Sequence, residues 1–287
     1  MEKADFNLDD LKDPERLKML FMKYAKTEAF KVWGCFLLVT FTVFMLFSSG
    51  DFSFLLTLSS LVSVFSFLMV ALKIEAGRSC KGVSLRMMEC YLAIFFFRLC
   101  AIVPFEGYLP FDKSGDWFYQ TCEALGFCLA GTMVYFCRMR YAATYDPDTD
   151  NFQHHWLALG AAGLALIFHP NLNNFLPSDT SWAFAVYLES VAVLCQLFMF
   201  MKEGQAAPHT SHFLAAQALS KIMSFIFWAS SFNELSNPNH TIKAFVGNWV
   251  VCTQLVQLCV MGDFIYHYIR CIRQGIPVSQ LLCSDNV

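Results

Sequence analysis

Charge is scarce in this sequence: Asp, Glu, Lys and Arg make up 15% of its 287 residues, where soluble domains carry about 25%. The net charge of −3 shows no basic excess, so nothing points to a nucleic-acid partner. Enzyme signatures are missing as well: there is no HExxH, GxSxG, P-loop or dinucleotide fingerprint, and neither an enzymatic activity nor a cofactor is expected. The 12 cysteines include no CxxC pair. Most fall within or at the ends of apolar runs, where Cys behaves as a small hydrophobe rather than a metal or redox ligand. Cys80 stands alone in a basic loop, and Cys271 and Cys283, just beyond the last apolar run, are candidate palmitoylation sites. The last four residues do not form a prenylation box. His154 and His155 lack carboxylate or thiolate neighbours at helical spacing, so no metal role is expected for them. Met1 to Lys26 is charged and the first apolar run has the length of a full span, a pattern without a cleavable signal peptide.

What the chain has in abundance is apolar surface. Hydrophobic residues make up 56%, with 31 phenylalanines, and the mean hydropathy is +0.46. Because about 20 helical residues cross a hydrocarbon core of about 30 Å, the apolar runs predict eight membrane spans: 30–48, 54–73, 88–105, 118–137, 155–168, 180–201, 212–232 and 245–268. The fold class expected is therefore all-α and integral to a membrane. The fifth run is short and glycine-containing, which suits close helix packing. Ser48 to Asp51 leave room only for a tight turn, so the first two spans form an antiparallel pair.

Lys and Arg divide unevenly between the two sides. Alternate segments 1–31, 73–87, 138–154, 202–211 and 269–287 hold 16 of them, and the opposite side only Lys113 and Lys243. Such a bias places both termini in the cytosol. The lumenal side then carries Glu106, Asp112, Asp116 and Glu234, with a glycosylation sequon at Asn239 to Thr241. Residues 1–29 read as a cytosolic head. Asp13-Pro14 marks a helix start, and Leu17, Leu20, Phe21 and Tyr24 form a stripe beside Lys18, Lys23 and Lys26 that suits either a membrane surface or a partner.

Four ionisable residues lie inside spans: Arg98, Glu189, Lys221 and Asp263. Each costs about 2.5–3.5 kcal/mol at a helix centre on insertion scales, so each is expected to face a polar interior. By depth, Arg98 lies about 10 Å below the lumenal end of its span, and Glu189 and Lys221 about 14–17 Å. These three share a layer open to the lumen, whereas Asp263 lies nearer the cytosolic end. Two cations over one carboxylate predict either a net positive site for an anionic ligand, or a structural pair of Glu189 with one cation while the other snorkels to the interface. Glu123 and Asp179, near the lumenal mouth, read either as collectors of a ligand's cationic groups or as interfacial carboxylates.

Tyr187–Met199 (YLESVAVLCQLFM), Arg78–Ser84 (RSCKGVS), Ala143–Asp146 (ATYD) and Val256–Tyr266 (VQLCVMGDFIY) resemble the KDEL/HDEL receptors, the ER lumen protein retaining receptor family, in order and spacing. The longer receptor-related proteins of plants and protists are the more similar members. The resemblance covers about 53–270 and implies a seven-helix core of two three-helix repeats, 54–137 and 180–268, joined by a linking helix at 155–168. This arrangement is similar to SWEET sugar transporters. Residues 30–48 would then be an extra transmembrane helix, and 271–287 a cytosolic tail. It further implies a multi-pass receptor of the endoplasmic reticulum and Golgi membranes. Such a receptor captures the C-terminal Lys/His-Asp-Glu-Leu tail of lumenal proteins at mildly acidic pH, with membrane lipid and vesicle coat components as further partners. Arg98, Glu189, Trp228 and Asp263 match family positions. Asp263 would serve transport rather than ligand contact. Lys221 replaces an arginine, losing the bidentate fork, and Asp179 replaces a glutamate. Leu56, Ser63, Ala101, Ser220, Phe227 and Ser231 stand where the family has arginine, histidine, aspartate, tyrosine, asparagine and arginine. Cys195 takes the place of a helix-kinking proline, and the tail after Arg273 lacks the family's lysine cluster. The resemblance therefore implies a retrieval receptor with altered specificity. The alternatives are a small-solute transporter on the same scaffold, or a trafficking or scaffold protein that no longer binds the tetrapeptide.

Overall fold

The computed structural model describes residues 28–274 apart from 49, 51, 112, 114 and 237–242. The head up to residue 27, Asp112, the sequon at 239–241 and the tail from 275 with Cys283 lie outside the described residues. Within them there is no strand and there are nine α-helices: α1 (Glu28–Phe47), α2 (Phe54–Gly77), α3 (Leu85–Ile102), α4 (Gly115–Tyr135), α5 (His154–Ile167), α6 (Leu176–Ala192), α7 (Leu194–Glu203), α8 (Pro208–Ser231) and α9 (Val246–Gln274). Each expected span coincides with a helix, the sixth being α6 and α7 together.

Four stretches are long and apolar enough to cross a membrane: Phe54–Gly77, Leu176–Glu203, Pro208–Leu235 and Lys243–Arg273. The charges on α3 and α4 dilute their hydropathy, but Arg98 and Glu123 pair with each other at 3.2 Å inside the bundle. The polarity that lowers their average therefore points inward. The protein is an all-α integral membrane protein.

The packing is pseudo-symmetric. In the first triplet α2 and α3 both pack on α4; in the second α6 and α8 both pack on α9. Between triplets, α2 packs on α8 and α3 on α6. Exchanging α2, α3, α4 with α6, α8, α9 leaves this pattern unchanged. The first helix fits the same scheme, because α1 packs on α2 as α5 packs on α6. Phe36 against Phe65 and Phe44 against Phe54 make that contact.

The motifs that carry the family resemblance meet at the end of the bundle rich in Lys and Arg. Ser84 caps α3 by accepting from Met87 N at 3.1 Å, and donates to Asp150 Oδ1 at 2.7 Å. The amide of Cys80 donates to Thr144 Oγ1, and the Tyr145 hydroxyl to Asp150 Oδ2. Gln196 spans the two triplets, accepting from Ser84 N at 2.8 Å and donating to Gly82 O at 3.1 Å. Buried loop backbone is thereby satisfied by side chains, as it must be away from water.

The sixth span is interrupted at Val193, between α6 and α7 and two residues before Cys195. On one side of the interruption Gln257 Nε2 donates to Glu189 O at 2.9 Å, and on the other the Gln196 side chain is pinned on the 82–84 loop.

Candidate ligand-binding site

The core of the site starts from a serine stripe on α2. Ser59, Ser63 and Ser66 recur at helical spacing and let α8 approach closely, as small residues do between membrane helices. Ser59 and Ser220 bond reciprocally, each hydroxyl donating to the other's carbonyl at 2.9 and 2.8 Å. Gln217 Nε2 reaches Ser66 Oγ at 2.6 Å and Ser63 Oγ at 3.1 Å. Ser63 and Ser220 thus serve helix packing.

Beside the Ser59–Ser220 end of this zip lies an ion cluster drawn from four helices. Arg98 on α3 is forked between two carboxylates: Nη2 lies 2.6 Å from Glu189 Oε2 on α6, and Nη1 3.2 Å from Glu123 Oε2 on α4. Lys221 Nζ on α8 lies 2.5 Å from Glu189 Oε1. Ser60 on α2 donates to Glu123 Oε1 at 2.7 Å. All four charged groups are buried. The layer expected from depth alone is thus real, with Glu189 as its hub.

Its charge differs from the expectation. Glu123 joins the cluster, so two cations face two carboxylates and the predicted positive site is neutral. The adjoining cavity is lined by Leu56, Tyr119, Trp182, Trp228, Ser224 and Gln254 besides the cluster. Its water-accessible volume is about 20 Å³, room for about one water molecule. Trp228 stands edge-on to Trp182 at 5.1 Å, and Trp182 stacks on Tyr108 at 4.3 Å. The Oε1 of Gln254 is buried without a hydrogen-bond partner, leaving the site an unspent acceptor. Trp182 lies two helical turns before Glu189 and so on its face, a spacing that marks it in the sequence; Gln254 carries no such signal.

Two other predicted residues are placed elsewhere. Asp179 is fully buried outside the cavity lining. Its Oδ1 accepts from Tyr108 Oη at 2.5 Å and Asn173 N at 3.1 Å, and its Oδ2 from Phe175 N at 3.1 Å. It holds the loop before α6 against the first turn of that helix, where a carboxylate is favoured. The Tyr108 hydroxyl, in the loop after α3, has its pKa raised by burial and by this carboxylate, so it stays a donor. Asp263, expected to face a polar interior, instead points outward, its side chain 88% exposed, with His267 Nε2 at 3.6 Å. The buried stripe of α9 there runs through Met261, Phe264, Tyr268 and Cys271, and Asp263 lies off that face.

Two further corrections concern the end of the bundle rich in Lys and Arg. Cys271 is buried and so is not open to acylation as it stands. His154 does have a carboxylate partner, Glu89 Oε2 at 3.0 Å, brought from α3; Glu89 also pairs with Arg138. Among the described residues no group of three or more His, Cys, Asp or Glu could hold a metal ion.

Comparison with known proteins agrees with this architecture. The family model described as ER lumen protein retaining receptor matches residues 79–231. ER lumen protein-retaining receptor 2 of Bos taurus is 31% identical over 210 residues, covering 72% of this chain and 89% of that protein. The Danio rerio receptor 2 is 29% identical over 213 residues (74% and 91%), and the Drosophila melanogaster receptor 29% over 212 (74% and 91%). From α3 through α8, the helices that supply all four charges of the buried cluster fall within the matched region or beside it, and the chain belongs to the ER lumen protein retaining receptor family.

Proposed function

We propose that this protein is a non-enzymatic receptor of the endoplasmic reticulum and Golgi membranes that holds the C-terminal retention signal of lumenal proteins. The observation that carries the reading is the buried Arg98–Glu189–Lys221 layer beside Trp182 and Trp228 in a chain of this family. A C-terminal acidic tetrapeptide offers a terminal carboxylate, acidic side chains and a leucine. Arg98 and Lys221 are the cations for its anionic groups, charge-assisted bonds being the strong ones, and Trp228 with Trp182 is the apolar wall for the leucine. Asp179 is the positioning residue that keeps Tyr108, and through it Trp182, in place. Both termini are cytosolic in this reading, and Asp263, on the outer face of α9, serves transport through a neighbour rather than the ligand.

Leucine at 56 and serine at 231 remove two cations, so specificity differs from that of a receptor with arginine at all four positions. One observation favours a second reading: the cavity, at about 20 Å³, is closed to a peptide as it stands, as suits a trafficking protein that has given up the tetrapeptide. Titrating the purified protein with peptides ending in HDEL or KDEL decides between them. Saturable binding to the free-carboxylate peptide, lost on C-terminal amidation and on Arg98→Ala, is expected. Equal binding of the amide, or none of either peptide to any form of the protein, removes the receptor reading.

A further inference from the structure

We infer that Glu123 is a resident carboxylate occupying the ligand-carboxylate subsite on Arg98, and that a ligand enters by exchanging with it. This rests on the receptor reading above and adds a specificity-determining residue to it.

Three observations converge on Glu123. The first is charge balance. With Glu123 in place the cluster is neutral, so a third carboxylate brought into this buried layer would leave an uncompensated negative charge, which burial strongly disfavours. Replacing Glu123 by a ligand carboxylate keeps the balance and costs no new buried charge.

The second is strength. Glu189 is gripped by both cations at 2.6 and 2.5 Å, whereas Glu123 has one guanidinium nitrogen at 3.2 Å and the Ser60 hydroxyl. Arg98 spends its fork on two different carboxylates rather than bidentately on one. A ligand carboxylate meeting Nη1 would therefore replace the weaker of its two bonds.

The third is position. Glu123 is carried by α4, whose main packing partners are α2 and α3, while the other charges ride on helices of the inter-triplet core. Moving Glu123 aside does not require parting α3 from α6 or α2 from α8. The exchange also frees space in a cavity that now holds about one water, next to Gln254, whose buried Oε1 has no donor. The entering group is thus a carboxylate attached to an N–H donor, as at a peptide C-terminus, rather than a bare organic acid.

The test is peptide binding to the full chain in detergent or nanodiscs, with an HDEL-ending peptide, its C-terminal amide, and acetate as a bare acid. Glu123→Gln keeps shape and an acceptor for Ser60 but removes the competing charge. It is expected to bind the free-carboxylate peptide about tenfold more tightly than the unaltered protein, the worth of one charge-assisted bond, with no gain for the amide or for acetate. Ser60→Ala loosens Glu123 without changing any charge, and a smaller gain in the same direction is expected; it decides the matter should Glu123→Gln not fold. Unchanged or weaker binding by the folded variants, with the unaltered protein still discriminating against the amide, overturns the exchange and leaves the receptor reading intact. Failure of all three proteins to bind the free-carboxylate peptide overturns both.

Discussion

At the scale of the residue, the buried charges are worth more together than separately. Glu189 is fixed by Arg98 and Lys221, and removal of either cation strands a carboxylate in a layer almost without water. Lys221→Met is therefore expected to destabilise the protein by about 3–5 kcal/mol, the usual cost of breaking a buried ion pair from one side. Adding Glu189→Gln should recover much of that loss. Thermal unfolding of the detergent-solubilised single and double variants measures it, and additive losses in the double variant would contradict the coupling. Depth along the helices was enough to place Arg98, Glu189 and Lys221 together, because apolar runs fix where a span begins. It was not enough for Glu123, whose entry depends on how α4 is rotated about its axis. The outward face of Asp263 was readable in principle, since Met261, Phe264, Tyr268 and Cys271 mark the buried stripe of α9 at helical spacing.

At the scale of the element, close approach of α3 and α4 sets where Glu123 can stand. Gly126 lies one turn beyond it, and a Cβ there would fall 2.6 Å from Cε1 and Cζ of Phe95. Gly126→Ala is expected to lower stability by about 1–3 kcal/mol through overpacking, and to push α4 outward enough to weaken the Glu123 contact. Phe95→Leu in the same chain should restore the melting temperature; a melting temperature unmoved by Gly126→Ala would show that α4 is not packed so tightly. The break between α6 and α7 makes a different point about legibility. Gln196 and Gln257 bond, on either side of that interruption, to groups more than 60 residues away in the chain, and no local pattern announces such partners.

At the scale of the whole molecule, the eight apolar runs were plain from hydropathy and each coincides with helix, and the pseudo-symmetric packing shows where α1 fits. α1 rests on α2, and Phe47 reaches Trp117 and Phe118 at the start of α4, but among the described residues it supplies no side chain to the ion cluster or its cavity. Beginning the chain at Phe52 is expected to leave peptide affinity within about twofold, as for sites that share no partners. A large loss in the same binding assay would assign α1 a part in the site.

The reciprocal Ser59–Ser220 bonds have a consequence for how the molecule can move. Transporters built from repeats work by rocking one half against the other so that a central site faces each compartment in turn. In this protein a continuous set of buried polar contacts runs between the halves: two serine bonds, the Gln217 ladder, and the bridge from Arg98 to Glu189. Rocking would have to unzip that seam on every cycle, in a low-dielectric interior where each unmade bond is expensive. On the receptor reading the seam is a clasp rather than a hinge, which leaves opening to the periphery and predicts that ligand enters and leaves by one route.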